Sequence, residues 1–430
     1  MDVIRASIPL FFALIGLELL IARLRRRPLY RLADSISDLS CGILSQLAGI
    51  VLALGTIALF GWVSTHTSIQ QILPLPRWIN RPPVTASGVD LAALASWTGV
   101  FLLDDFAYYW MHRYSHEVNL LWAGHVVHHS SEEYNLTVAL RQSSLHGLMS
   151  WLFYLPLAVL GVPVTMWVIC HALNLVYQFW VHTRAVDRLG PLEAVLNTPS
   201  HHRVHHGVNP QYQDRNYAGV LIIWDRLFKS FEPEVAPPVY GITKPLRSWN
   251  PVRANLHVFG EIWTNARAAR TWSDRFRSVF GHPGWRPPGL GPPVIPVAVS
   301  EETFQKYEPP VPGALKSYAL IQFVVTLAGA VALLDAAARM PLASSLAGAF
   351  YVVLSLADIG GILEARSWAG LTEVMRLVVL GGVAAVLLGS GGTPRWLVVA
   401  AAGFAVVSLF WIVRLRPLLI SSDPRAIIAM

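Results

Sequence analysis

The sequence predicts an all-α, polytopic integral membrane protein with about nine hydrophobic helical segments and a histidine-rich cap on the cytoplasmic side. Three observations predict it. Hydrophobic residues make up 54% of the 430 residues and charged residues only 14%, well below the roughly 25% charged share of soluble domains. Apolar runs recur at about the 20-residue length that crosses a bilayer core. Of the 15 histidines, all but His66, His257 and His282 fall between residues 112 and 206.

The elements follow in chain order. Ile8 to Ala22 is the first span, followed by Arg23, Arg25, Arg26, Arg27 and Arg31. A cleaved signal peptide carries its charges before the apolar run, so this segment reads as a retained anchor. Leu39 to Val63 is the second span. Residues 64–88, with Pro74, Pro76, Pro82 and Pro83, form a loop, and Val89 to Tyr109 is the third span. Gly147 to Leu160 and Pro163 to Val181 read as a hairpin broken at Gly161 and Pro163. Residues 183–312 are the longest polar region. Within them, 252–280 is amphipathic, suited either to the membrane surface or to packing within the cap, and 282–297 is a Gly/Pro-rich loop. Four more spans follow at about 318–334, 342–362, 374–389 and 396–413. This gives three regions: N-terminal transmembrane helices over 1–88, a histidine-bearing catalytic domain over 89–312 and a C-terminal four-helix region over 313–430.

Charge sets the expected orientation. Lys+Arg is 33 against 26 Asp+Glu, a net +7, and all the basic residues are arginines except Lys229, Lys244, Lys306 and Lys316. The arginines after the first span, those of the 183–312 region and Arg414, Arg416 and Arg425 all fall on one side, the cytoplasmic one by the positive-inside rule. No dense basic tract interleaved with aromatics lies outside Arg23 to Arg31, so no nucleic-acid partner is expected. Cys41 and Cys170, both in apolar stretches, exclude a disulfide scaffold, a four-cysteine zinc site and an iron–sulfur cluster.

Spacing makes the histidines informative. His112 and His116 follow the third span; His125, His128 and His129 form a second box; His202, His205 and His206 form a third; His182 ends the hairpin. Residues three or four apart share a helix face, so each box can converge on one point. Nine imidazoles exceed the roughly six that one ion takes, which implies two metals. An HExxH zinc motif is absent. Imidazole suits iron, zinc, copper and nickel, but zinc has no redox chemistry. Oxidation of an unactivated lipid C–H bond favours iron, with manganese and copper left open. Asp104, Asp105, Glu117, Asp214 and Asp225 are available as outer partners, as are His146, His171 and His201. Electrons come from an external reductant or partner protein, because there is no CxxCH haem motif, Rossmann fingerprint or fused redox domain.

The passages Asp105 to His116, Trp122 to Ser143, Gln178 to Thr183 and Pro199 to Asp225 resemble the fatty-acid hydroxylase and sterol desaturase superfamily of membrane di-iron oxygenases, and within it the alkylglycerol monooxygenase group. The motifs cover about residues 100–232 and are highly specific. The resemblance implies two iron ions on the box histidines, a further ligand at His182 and hydroxylation of a lipid by O2. For that group, it implies cleavage of an O-alkylglycerol to a fatty aldehyde and a glycerol derivative. It also implies tetrahydrobiopterin as reductant, with Glu117 as a catalytic and cofactor-binding residue. Gln178 departs from the pattern, standing where some members have histidine. A sterol, sphingoid, carotenoid or fatty-acyl hydroxylase or desaturase on the same scaffold is the alternative, and a metal transporter a remote one. Transporters place ionisable groups near the bilayer midplane, whereas these clusters lie at helix ends. Arg- and Ala-rich usage, with no retention tetrapeptide at the C-terminus, predicts a bacterial inner membrane.

Overall fold

The computed structural model describes residues 3–73, 77–86, 88–293, 299–300, 302–390 and 394–420. Pro74, Pro76, residues 294–297 of the Gly/Pro-rich loop and Arg425 lie outside them. The helices are α1 Val3–Leu24, α2 Leu32–His66, α3 Leu91–Glu117, α4 Asn119–His129, α5 His146–Ser150, α6 Leu155–Val159, α7 Val164–Val181, α8 Pro199–His205, α9 Ile223–Leu227, α10 Pro251–Ala268, α11 Trp272–Phe280, α12 Gly313–Ala336, α13 Leu342–Ile362, α14 Ala369–Ser390 and α15 Arg395–Ile420. A two-residue antiparallel ribbon, β1 Val84–Thr85 and β2 Gly88–Val89, precedes α3.

Among the described residues, seven helical segments are long and apolar enough to cross a membrane: Ala6–Leu24, Leu32–Leu52, Val164–Val181, Gly313–Arg339, Leu342–Ile362, Ala369–Gly389 and Arg395–Leu419. Two of the nine expected segments fall outside this set. The third span forms as part of α3, but Asp104 and Asp105, both buried, make it more polar than the others. The first limb of the hairpin is not one helix. It breaks into α5, a 3-10 turn Trp151–Tyr154 and α6, because Pro156 lacks the N–H that would continue the ladder and instead starts α6. Gly161, at φ 73° and with Ser68 and Gln70 packed against its Cα, turns the chain into α7.

The chain divides into two compact units. The first comprises residues 1–31, 48–246 and 255–305. One apolar cluster gathers Phe60, Val100, Tyr154, Leu157, Met166 and Trp167, with Phe60 stacked on Trp167 at 4.0 Å. A second cluster packs Val258 and Ile262 of α10 on Ala123 and Val126 of α4. The amphipathic 252–280 segment therefore packs on one side, while Trp263, Trp272 and Phe276 stay exposed.

The second unit comprises residues 32–47, 247–254 and 306–430. In it α12 to α15 pack in sequence, with Val324, Phe350, Val379, Val386, Val407 and Phe410 turned outward, as lipid-facing side chains are. Its interior is less apolar than the sequence suggests. Arg376 pairs with Glu373 at 2.6 Å and donates to Gln322 at 2.6 Å. Gln322 in turn donates to Ser408 at 2.9 Å, and Tyr318 donates to Glu373. A buried ion pair is tolerated only with its remaining donors and acceptors satisfied, and this network satisfies them while tying α12, α14 and α15 together.

Candidate metal centre

The site is assembled by short connections in the first unit. Asp90 caps α3 by accepting from the Ala92 and Ala93 amides, each at 3.1 Å. Val118, in extended geometry, is the single residue between α3 and α4, so the first two histidine boxes fold directly onto each other. Asn119 pins the turn to α11, its amide donating to Gly281 O and its side chain to Ser278 O, both at 2.9 Å. His182 caps α7. Pro199 occupies the first turn of α8, which carries the third box.

All nine predicted ligands are buried and fall into two groups. His112, His116, His125, His129 and His205 form one; His128, His182, His202 and His206 form the other; within each, one ring nitrogen per residue lies within 4.8 Å of all the rest. The expectation that each box points at one place is corrected here. Residues four apart stay together (112 with 116, 125 with 129, 202 with 206), but the member three along crosses over. His128 leaves its box for the four-membered group, and His205 leaves its box for the five-membered one. Adjacent helical residues point about 100° apart, so His128 and His129, or His205 and His206, face different groups.

The protein fixes the tautomers. His112 Nδ1 lies 2.7 Å from Tyr217 O, His128 Nδ1 3.2 Å from Arg141 O, His182 Nδ1 2.7 Å from Gln178 O and His205 Nδ1 2.9 Å from Arg215 O. A carbonyl only accepts, so each Nδ1 carries the proton and each Nε2 presents a lone pair. Yet His128 Nε2 and His182 Nε2 face each other at 3.1 Å, two lone pairs with no proton between them. His202 Nε2 is 3.0 Å from His182 Nε2, and His112 Nε2 is 2.9 Å from His125 Nε2. Two imidazoles at right angles on an ion with ligand bonds of ~2.1 Å stand ~3.0 Å apart. The Nε2 atoms of His116, His205 and His206 are buried without a hydrogen-bond partner. This donor set fits two imidazole-preferring cations. Burial lowers the imidazole pKa of His205 to about 4 and, with the charge of His205 adding, that of His182 to about 3. The rings are therefore neutral at pH 7.

Two carboxylates hold the outer layer. Asp105 accepts from Val220 N at 2.9 Å, Leu221 N at 3.1 Å, and the Asn174 and Trp224 side chains at 2.9 Å. Asp225 accepts from Tyr217 N and Ala218 N at 2.8 Å and from Ser230 at 2.7 Å. They organise the 215–230 loop, whose carbonyls orient His112 and His205. Tyr134, which the histidine pattern does not reveal, donates to Val181 O at 3.1 Å and lays its ring against His182 and His206.

The other predicted residues divide. Asp214 approaches His116 Nδ1 at 3.8 Å and His282 Nε2 at 3.5 Å, which brings a histidine read as isolated to the edge of the centre. The hydrogen bond that His282 donates to Asp214 raises the pKa of His282, with the charge of Glu117 adding to it. Glu117 itself pairs with Arg113 at 2.9 Å and is partly exposed. His146 packs its ring on His125 at 5.3 Å, His171 faces Asp104 at 3.3 Å, and His201 packs on Phe231. Gln178 turns its side chain to Asn174 at 2.7 Å. A cleft of about 270 Å³, lined in part by Trp122, Glu261 and His282, reaches His116 of the five-membered group.

Comparison with known proteins agrees with this architecture. A family model described as fatty acid hydroxylase matches residues 97–230, and one described as the alkylglycerol monooxygenase C-terminal domain matches residues 315–389. The chain is 39% identical to a human alkylglycerol monooxygenase over 386 residues, covering 88% of this chain and 81% of that protein. It is 38% identical to the zebrafish (Danio rerio) enzyme of the same name over 384 residues, with the same coverage. An ornithine lipid hydroxylase of Rhizobium tropici is 30% identical over 145 residues, 33% of this chain and 44% of that one. No solved structure matches. The histidine clusters, the membrane helices and the similarity over most of the chain together place the chain in the alkylglycerol monooxygenase family, among the monooxygenases of the fatty acid hydroxylase fold.

Proposed function

We propose that the chain is a di-iron monooxygenase that cleaves the ether bond of O-alkylglycerols. The observation that carries the metal reading is the pair of Nε2 lone pairs of His128 and His182 facing each other at 3.1 Å, each ring locked by its Nδ1–H. His112, His116, His125, His129 and His205 would hold one iron, and His128, His182, His202 and His206 the other. Iron at these sites supplies O2 activation and the two-electron oxidation of a C–H bond. One oxygen atom enters the carbon beside the ether oxygen. The other leaves as water, with two electrons and two protons from the reductant. The resulting hemiacetal collapses to a fatty aldehyde and the free glycerol hydroxyl.

The chain's own residues hold the imidazoles neutral and oriented, and position the substrate carbon; such positioning is a large part of rate enhancement. Tetrahydrobiopterin is the proposed reductant, approaching through the cleft beside His116 and Trp122. Asp214 and Glu261 supply negative charge in its wall, and Glu117, whose charge acts on His282 of the same wall, is assigned to this step. The arginine distribution supports a cytoplasmic site, and the arginine- and alanine-rich composition alone supports a bacterial inner membrane. The regions 1–88, 89–312 and 313–430 are proposed as anchor, catalytic domain and C-terminal bundle.

The test is release of fatty aldehyde from a 1-O-alkylglycerol by iron-loaded membranes with O2 and tetrahydrobiopterin, beside a His128→Ala control. Aldehyde from the wild type alone supports the assignment. No aldehyde, with iron still bound, would move the substrate to another lipid or the electrons to another donor.

A further inference from the structure

Where α1 leaves its apolar segment, the chain carries Arg25, Arg26 and Arg27, and this end packs beside the loop that follows His182. Arg25 donates to Ala185 O at 3.4 Å and Arg184 to Pro28 O at 3.4 Å. These two segments, together with residues 234–238 and Tyr240, line an open cavity of about 830 Å³ with four arginines in its wall: Arg27, Arg184, Arg188 and Arg203. Two are neutralised, Arg203 by Glu234 at 2.7 Å and Arg184 by Glu133 at 3.0 Å. Arg27 and Arg188 have no carboxylate partner among the described residues; Arg188 donates only to the Glu234 carbonyl. Asp187 and the Arg203-paired Glu234 are the acidic residues in the wall.

A second hollow of about 420 Å³ shares Arg27, Pro28 and Leu29 with the first and continues along α1 over Leu19, Leu20 and Ala22. Its wall is mostly apolar, and it runs beside the Ala6–Leu24 membrane segment. One end of the combined cleft is thus cationic, and the other lies against a membrane helix. At its cationic end stands Tyr240. The Tyr240 ring stacks on Tyr134 at 4.8 Å, and Tyr134 faces His182 and His206.

From this we infer that the cleft is a binding site for a membrane lipid with an anionic phosphate headgroup. The phosphate is held by Arg27 and Arg188, and the acyl chain lies along α1. Arginine suits phosphate because its planar donors match the oxygens and it stays charged at every relevant pH. The inference does not depend on the chemistry proposed at the metals.

Native mass spectrometry of the purified, detergent-solubilised full chain tests it. The probes are phosphatidylglycerol, diacylglycerol with the same acyl chains, and inorganic phosphate. The expected result is retention of phosphatidylglycerol and of neither other probe. Arg27→Ala/Arg188→Ala should raise its dissociation constant roughly 30-fold, taking each arginine as worth about 1 kcal/mol. The double lysine variant should recover much of that, and Arg339→Ala, an exposed arginine of the other unit, should change nothing. Unchanged bound metal in the alanine variant confirms that it is folded. Equal retention of diacylglycerol, tight binding of inorganic phosphate alone, or unaltered phosphatidylglycerol binding by the folded double variant would each overturn the inference.

Discussion

Asp225→Asn separates the outer layer of the centre from its ligands. The carboxylate accepts three hydrogen bonds, two at Oδ1 from Tyr217 N and Ser230 and one at Oδ2 from Ala218 N. Asparagine keeps the first two, but its NH2 group must then face the Ala218 N–H. A buried donor left unmatched costs about 1–3 kcal/mol. Burial pushes the Asp225 pKa up to about 6, so the substitution also removes an unfavourably buried charge, and the net loss of stability stays at or below that range. The larger effect falls on the metal. The displaced N–H is that of Ala218, which shares its peptide group with the Tyr217 carbonyl that holds the His112 Nδ1–H. Loss of a ligand's outer partner typically costs 10–100-fold in metal affinity; acting through one intervening peptide, Asp225→Asn is expected near ~10-fold. Chelator competition on the purified protein reads this directly, because only the five-histidine site should weaken. Equal weakening of both metals, or no weakening in a folded variant, would refute the claim that this loop orients His112.

Further outcomes are expected. Gly219→Ala would place a Cβ within 2.8 Å of Asn174, 2.9 Å of Tyr108 and 3.0 Å of Asp105, so melting curves should show a loss of about 1–3 kcal/mol from overpacking, with reduced metal content. Glu117→Ala should lower turnover and raise the KM for tetrahydrobiopterin while iron per chain stays unchanged; selective loss of iron would recast Glu117 as a ligand. In the metal-free protein, His205 and His182 have folded pKa values below the unfolded value, so the unfolded chain binds more protons between them. Stability should therefore be fully present above about pH 6.5 and fall as pH drops toward about 4, and a melting temperature flat across that window would contradict the neutral-imidazole reading.

The sequence made some layers of this structure plain and left others hidden. Spans α1, α7 and α12 to α15 were legible because length and hydropathy are local properties. The first limb of the hairpin was not, because Pro156 breaks a run whose composition still reads as apolar. That the nine histidines come together was legible from spacing, but their division into two groups was not: whether His205 joins His202 or crosses to His112 depends on how α8 meets α3. The Tyr217, Arg215 and Arg141 carbonyls carry no side-chain signature. The Asp214 link between His116 and His282 spans more than 160 positions, so no local pattern signals it. The Arg376–Glu373 pair in the C-terminal bundle was not singled out from the sequence, because only packing shows that Tyr318, Gln322 and Ser408 complete its network.

Metal counting tests the central claim most directly, that two ions sit on crossed histidine boxes. Iron per chain would be measured for the wild type, for His116→Ala/His129→Ala and for His182→Ala/His202→Ala. The account predicts about two ions in the wild type and about one in each double variant, with distinguishable Mössbauer signals for the two that remain. A wild type that saturates at one ion, or a double variant that retains both, would contradict it.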